Sequence, residues 1–219
     1  MLSDQGVTAV LSGHPHTYRL FLCRQPEKSK KVGSISKILH DAGYSTGFFY
    51  GGQLTYGNIK SYLFNHEYDV MKEESDYDPA LPRARLGIHD HVMALQFARS
   101  LGTARQPFLY NWFTISSHMP YDFPAAHDFD YLKPEGQYAS SVHYTDSSLG
   151  LFFREVRNTA WYKNTLFVLV ADHSHVSPTF RLYQSAAFHH IPCLFFGEVI
   201  KKEYRGRVMD KTCMQADIA

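Results

Sequence analysis

At 219 residues the chain is long enough for one domain with a substantial core. Hydrophobic residues make up 44% and charged residues 20%, which excludes a disordered chain, and a formal net charge of +1 removes the electrostatic case for a nucleic-acid binder or a polybasic membrane anchor. Cys23, Cys193 and Cys213 stand in no paired spacing, which excludes a structural zinc knuckle and a disulfide framework.

In chain order, the first element is a short helix over residues 3–13 with Ser3 at its start. The free N–H groups and positive dipole end there favour an alkoxide or a phosphate oxygen. The plainer reading makes Ser3 a helix N-cap, and spacing alone does not separate the two. The basic run Lys28-Ser29-Lys30-Lys31 reads as a solvated loop. A second helix follows, with Ser34 as N-cap, Ile35, Ile38 and Leu39 on one face, and Gly43 beyond its end. A strand from Tyr44 to Tyr50 ends at the Gly51-Gly52 turn, and Glu73-Glu74-Ser75-Asp76 reads as an acidic loop. Val92, Met93, Ala94, Phe97, Ala98 and Leu101 mark a helix after His89. The next strand, Phe108 to Ile115, runs into Ser116-Ser117-His118. Pro120, Pro124 and Pro134 make the stretch from Met119 to Tyr138 a long surface loop, and a helix is expected from about Thr145 to Arg157. Leu166 to Val170 is a continuous apolar run, the pattern of a parallel strand covered on both faces, and it leads into Ala171-Asp172-His173-Ser174-His175. A last strand spans Cys193 to Phe196. Short apolar runs alternating with helical patterns make the chain an α/β fold. No apolar stretch approaches the roughly 20 residues that span a bilayer, and the N-terminus carries no signal-peptide pattern.

In open α/β sheets ligands sit beyond the carboxyl ends of strands, where His118 and the Asp172–His175 cluster both fall. Asp172 and His173 offer an oxygen and a nitrogen ligand to a divalent metal such as zinc or manganese. His175, His189 and His190 downstream strengthen that reading, since several imidazoles at a strand end are costly to bury unligated. His118 reads as a donor to an anionic substrate or as a general acid, against the plainer reading of a loop histidine bonded to backbone.

Jointly, Val10-Leu11-Ser12-Gly13-His14-Pro15, Phe49-Tyr50-Gly51-Gly52, Gly87-Ile88-His89-Asp90, Ser116-Ser117-His118-Met119-Pro120, Trp161-Tyr162-Lys163-Asn164-Thr165, Val170-Ala171-Asp172-His173 and His190-Ile191-Pro192 form an ordered series over nearly the entire chain. In this the chain resembles the sulfatase-like domain of lipoteichoic acid synthase and related phosphoglycerol transferases of the alkaline phosphatase superfamily. The resemblance implies an alkaline phosphatase-like α/β fold, a mostly parallel sheet with helices on both faces. It implies a divalent cofactor (manganese, magnesium or zinc) and a hydroxyl nucleophile ten residues before Gly13, which is Ser3 where the family has threonine. By the same carry-over, Asp172, His173 and Ser3 are metal ligands, and His118, His190 and Asp90 contact the substrate. The implied partner is an anionic phospholipid headgroup or a glycerol-phosphate polymer, with no nucleic acid. The implied reaction moves glycerol phosphate from a phosphatidylglycerol-like lipid to an acceptor hydroxyl through a covalent intermediate. A sulfatase or phosphoethanolamine transferase on the same frame, or an inactive remnant binding anionic polymers, stand as alternatives. The positions after Ser3 lack the Pro and Arg of a sulfatase motif. Relative to the family, residues 1–219 are expected to be a single catalytic-domain fragment. The membrane anchor, the first strand with its acidic ligand and the domain's C-terminal end lie outside it, and the parent is expected at the extracytoplasmic face of a bacterial membrane.

Overall fold

The computed structural model describes residues 2–15, 21–125, 129–130, 132–176 and 181–219. Helix α1 spans Ser3–Ser12, followed by the short α2, Pro26–Ser29, and by α3, Ile35–Asp41. Strand β1, Ser45–Tyr50, leads to helix α4, Ile59–Asn65, and strand β2, Val70–Lys72. The two-residue strands β3, Arg83–Ala84, and β4, Gly87–Ile88, form a small antiparallel pair. Helix α5, Asp90–Gly102, strand β5, Phe108–Phe113, helix α6, Pro134–Val156, and strands β6, Phe167–Val170, and β7, Cys193–Phe196, complete the order.

The central sheet is β2-β1-β5, parallel throughout, with Phe48 opposite both Met71 and Asn111. Side chains on a strand alternate between faces, and β1 supplies an aromatic to each. Phe48 enters a core with Val7 and Leu11 of α1 and Ile59, Tyr62 and Leu63 of α4. Phe49 enters another with Met93 and Phe97 of α5 and Phe152 of α6. Its ring lies 5.2 Å from Phe97, which lies 5.3 Å from Phe152. Both faces of the sheet are therefore covered by helices, as the apolar patterning and the resemblance lead one to expect. Burying each such ring contributes about 1.5–3 kcal/mol.

Local signals hold where their chemistry is specific. Ser34 accepts a hydrogen bond from the Lys37 N–H at 3.1 Å and starts α3 as a true N-cap. Three expectations are corrected. The basic run does not form a wholly solvated loop: Ser29 closes α2 and is fully buried. Helix α6 begins eleven residues before Thr145, at Pro134, inside the expected loop (of which residues 126–128 and 131 lie outside the described residues). Proline there occupies the first helical turn, where its missing N–H is no loss, so it opens the helix instead of marking irregular chain. The third correction concerns β6, which is antiparallel to β7 and only half-covered, Val168 and Phe195 remaining 39% and 49% exposed. Its other face packs on α6 through Phe153, whose ring is 5.3 Å from Phe167 and 4.9 Å from Phe196. An apolar run of strand length specifies burial potential, not the direction of its neighbour. No helix among the described residues is long and apolar enough to cross a membrane.

Candidate active site

The carboxyl ends of β5 and β6 and the amino end of α1 converge. The N-cap of α1 is Leu2, in extended conformation, and the Gln5 carbonyl oxygen Oε1 accepts the Leu2 N–H at 3.1 Å. Ser3 is already inside the helix, so the N-cap reading of its hydroxyl falls away. Its Oγ lies 3.5 Å from Nε2 of His173. This approach depends on Gly6. A Cβ there would stand 2.0 Å from the carbonyl oxygen of Asp172, so only glycine lets α1 come this close to the end of β6.

Asp172 and His173 are held by their own turn. The His173 N–H donates to Oδ1 of Asp172 at 2.9 Å, and Nε2 of Gln215 donates to the carbonyls of Ala171 and Asp172, each at 2.7 Å. Nδ1 of His173 lies 2.8 Å from the carbonyl oxygen of Ser174, which accepts only, so Nδ1 carries a proton and, in the neutral ring, Nε2 presents a lone pair. That lone pair faces Oδ2 of Asp172 at 3.6 Å. With the Ser3 hydroxyl beside them, these atoms form a donor set able to hold a cation. The edge of a tetrahedron with metal–ligand bonds of about 2.1 Å is about 3.4 Å. The spacings of 3.5 Å and 3.6 Å around Nε2 therefore match a donor set of Ser3 Oγ, His173 Nε2 and Asp172 Oδ2 for a divalent metal.

Aromatic hydroxyls surround the carboxylate. Burial first, and the Asp172 carboxylate next, push the phenols of Tyr50 and Tyr138 above their ordinary range, so both remain O–H donors at neutral pH. His175 packs flat on Tyr138, with ring centres 4.0 Å apart, and its Nε2 lies 3.1 Å from the Tyr121 hydroxyl. Burial, followed by the neighbouring His173 and His118, holds the His175 imidazole below its usual range.

His118 is exposed at the end of β5, and its Nδ1 donates to the Met119 carbonyl at 2.7 Å. It lines a narrow cavity with Gly87, His89, Ser116 and Asp122. Asp90 departs from the substrate contact expected of it. It is 1% exposed; Oδ1 accepts the Ile115 N–H at 2.9 Å, and Oδ2 accepts the Ser116 N–H and the Thr145 hydroxyl, each at 3.0 Å. With its oxygens engaged inside the protein, Asp90 supports the loop that carries His118 and does not face a ligand. His190 is exposed before β7, and among the described residues no hydrogen bond or ion pair joins it to Ser3, Asp172 or His173. His189 turns to the Tyr183 carbonyl instead. Of the histidines grouped by sequence, His175 is the one that lies beside the centre among the described residues, near His173 and His118.

Among the described residues, the cluster of three metal-capable His, Cys, Asp or Glu side chains is a different one, His40, Asp41 and Glu67. It lies before the amino ends of β1 and β2, away from Ser3, and the Lys37 ammonium already pairs with Glu67 at 2.7 Å and Asp41 at 3.7 Å. The proposed centre falls outside that pattern because its third donor is a hydroxyl. Sequence reasoning missed Gly6, Tyr121, Tyr138 and Gln215. A glycine inside a helix carries a stability cost without an evident local purpose, and for Gly6 that was the available signal.

A sequence model of the sulfatase family matches residues 2–218. Lipoteichoic acid synthase 2 of Bacillus subtilis (strain 168) is 26% identical over 152 residues, which cover 66% of this chain and 23% of that protein. Phosphoglycerol transferase I of Xanthomonas campestris pv. campestris (strain B100) is 26% identical over 150 residues, covering 64% of this chain and 21% of the relative. Among solved structures, a protein in the alkaline phosphatase superfamily from Vibrio parahaemolyticus superposes with a TM-score of 0.78 at 26% identity, over 91% of this chain and 50% of its own. The chain thus spans less than a quarter of these curated relatives and half of the solved one. With the family match running from the residue before the Ser3 hydroxyl to the residue before the last, the chain belongs to the sulfatase family and has the α/β fold of the alkaline phosphatase superfamily.

Proposed function

We propose that the chain carries the catalytic centre of a metal-dependent phosphoglycerol transferase, with Ser3 as nucleophile and Ser3, Asp172 and His173 as the residues that hold the metal. The observation that carries this reading is the Ser3 hydroxyl, uncapped and 3.5 Å from the bare Nε2 of His173, which itself faces the Asp172 carboxylate. The names of the relatives, a lipoteichoic acid synthase and a phosphoglycerol transferase, support glycerol phosphate as the group moved. A divalent ion, when bound, lowers the pKa of a ligated hydroxyl and offsets charge on phosphoryl oxygens.

The chain's own residues do the rest. Ser3 Oγ loses its proton to solvent and attacks the phosphorus of a phosphatidylglycerol-like lipid. The phosphorus–oxygen bond to diacylglycerol breaks as the new bond to Oγ forms, and the leaving alkoxide takes up a proton. An acceptor hydroxyl then displaces Ser3 by the reverse geometry. His118, its Nδ1 committed to Met119, donates from Nε2 to a phosphate oxygen when the ring is in its doubly protonated, imidazolium form. Asp90 holds the Ile115–Ser116 backbone that sets the height of His118. The α1 amino end adds the positive end of its dipole beside the attacking oxygen. In this reading the parent protein works at the extracytoplasmic face of a bacterial membrane, on an anionic lipid headgroup or a glycerol-phosphate polymer.

The test is calorimetric titration with Mn²⁺ and Zn²⁺ and turnover of a phosphodiester chromogen. One ion binds per chain, Asp172→Ala loses that binding, and Ser3→Ala abolishes turnover while keeping a measurable metal affinity. Undiminished turnover by metal-free protein or by Ser3→Ala refutes the assignment. Metal binding without any turnover supports a remnant that only binds. Comparing diacylglycerol release from phosphatidylglycerol and phosphatidylethanolamine separates the two transferase readings.

A further inference from the structure

Tyr121 joins the two halves of the site. It is four residues past Ser117 and three past His118, whose carbonyl accepts the Tyr121 N–H at 2.9 Å, so the backbone folds back tightly beside His118. The residue sits at φ +60°, a left-handed conformation that a bulky L-residue adopts only when its surroundings impose it. Those surroundings are on view. The ring is 5% exposed in a small core with Phe123 and Tyr144 of α6, and it stands edge-on to Tyr138, also of α6, at 6.2 Å. Its hydroxyl reaches across to Nε2 of His175 at 3.1 Å, and His175 is clamped flat against Tyr138. His175 follows His173 by two residues. One hydroxyl therefore connects the loop after β5, which carries His118, to the loop after β6, which carries Asp172 and His173.

Resting on the reading that His118 receives the substrate phosphate, we propose that Tyr121 is a positioning residue whose hydrogen bond to His175 fixes the spacing between His118 and the Ser3–Asp172–His173 trio. It touches neither substrate nor metal. The bond links two loops that leave different sheets: β5 belongs to the parallel sheet and β6 to the antiparallel pair with β7, with no ladder bond joining β5 to β6 among the described residues. Among the described residues, strand pairing, which ordinarily sets such a distance, does not join these two loops.

Tyr121→Phe keeps the ring and removes the bond. In the Mn²⁺-loaded protein, KM for the phosphodiester chromogen is expected to rise about tenfold with kcat within about twofold, the pattern of a lost binding contact. Mn²⁺ affinity by calorimetry should stay unchanged. His175→Gln, which removes the ring partner, should give a similar KM, and the double variant should be no worse than the poorer single, since both break the same Tyr121–His175 bond. An unchanged KM in Tyr121→Phe, or fully additive effects, overturns the proposal. A readout independent of turnover is the long-range ¹H–¹⁵N spectrum of the histidine rings. Loss of the hydroxyl should move the signals of both His175 and His118, whereas movement of His175 alone shows that the bond does not reach the other loop. If the unmodified protein lacks turnover, the functional reading fails while the ring spectra still decide this one.

Discussion

Gly6 is the residue on which the geometry around Ser3 turns. The carbonyl of Asp172 occupies the space a side chain would need, with the oxygen 2.0 Å from an ideal Cβ. Gly6→Ala must push α1 off the end of β6 and with it the Ser3 hydroxyl off His173. Overpacking of this kind costs about 1–3 kcal/mol, and here the displaced atoms are those of the site, so Mn²⁺ affinity should fall together with the melting temperature. Gly102, at the end of α5 with no atom within 4 Å of an added Cβ, is the matched control. Gly102→Ala should be neutral or stabilise by about 0.4–1 kcal/mol through the unfolded chain, leaving metal affinity alone. Equal melting temperatures for Gly6→Ala and the wild type would mean that the close approach of α1 is not needed. Both residues look the same in sequence, a glycine in a helical pattern, because the difference lies in a carbonyl 166 positions away from Gly6.

At the scale of elements, the two strand ends and the helix start were legible because each has a chemical signature. Ser34 and Gly43 bracket α3, a purely apolar run marks β6, and Asp172–His173 stands out at its tip. Asp90 was legible as a residue but not in its role. Its position at the start of α5 beside His89 reads as exposed to ligand, whereas the fold turns it inward to tie the end of β5 to α5 and to Thr145 of α6. Burial raises its carboxyl, opposed by the hydrogen bonds from Ile115, Ser116 and Thr145. Asp90→Asn keeps the volume but brings an NH₂ group against donors that have no other partner among the described residues. The expected loss is about 1–3 kcal/mol, measured by urea unfolding. Thr145→Val, which removes one donor along with its bond, should cost less. If Asp90 instead contacted substrate, the asparagine variant would raise KM while leaving the unfolding midpoint where it was.

The whole molecule shows what periodicity conveys and what it omits. Alternation along β1 sends Phe48 and Phe49 to opposite cores, so two helix-covered faces follow from the pattern of apolar residues. Strand order, the antiparallel turn of β7 and the meeting of Ser3 with His173 depend on contacts far apart in sequence, for which no local pattern exists. The same long-range packing sets how the protein responds to acid. His89 and His91 flank Asp90 at the α5 amino end, and burial holds both imidazoles below their ordinary range. For His89 the neighbouring His91 lowers it further and Asp122 opposes; for His91 it is Asp90 that opposes. A histidine whose folded pKa lies below the unfolded value near 6.5 binds its proton more readily in the unfolded chain. Its contribution is therefore complete above about pH 6.5 and is lost as pH falls from there toward the depressed folded value. The α5 dipole, positive at this end, acts in the same direction. Stability from urea unfolding should fall between pH 7 and pH 5. His91→Gln, which cannot take up a proton, should lose less over that interval than the wild type, and the difference isolates the imidazole from the carboxylates that titrate below. Parallel pH profiles for the two proteins would show that the α5 histidines titrate as freely in the fold as in the unfolded chain.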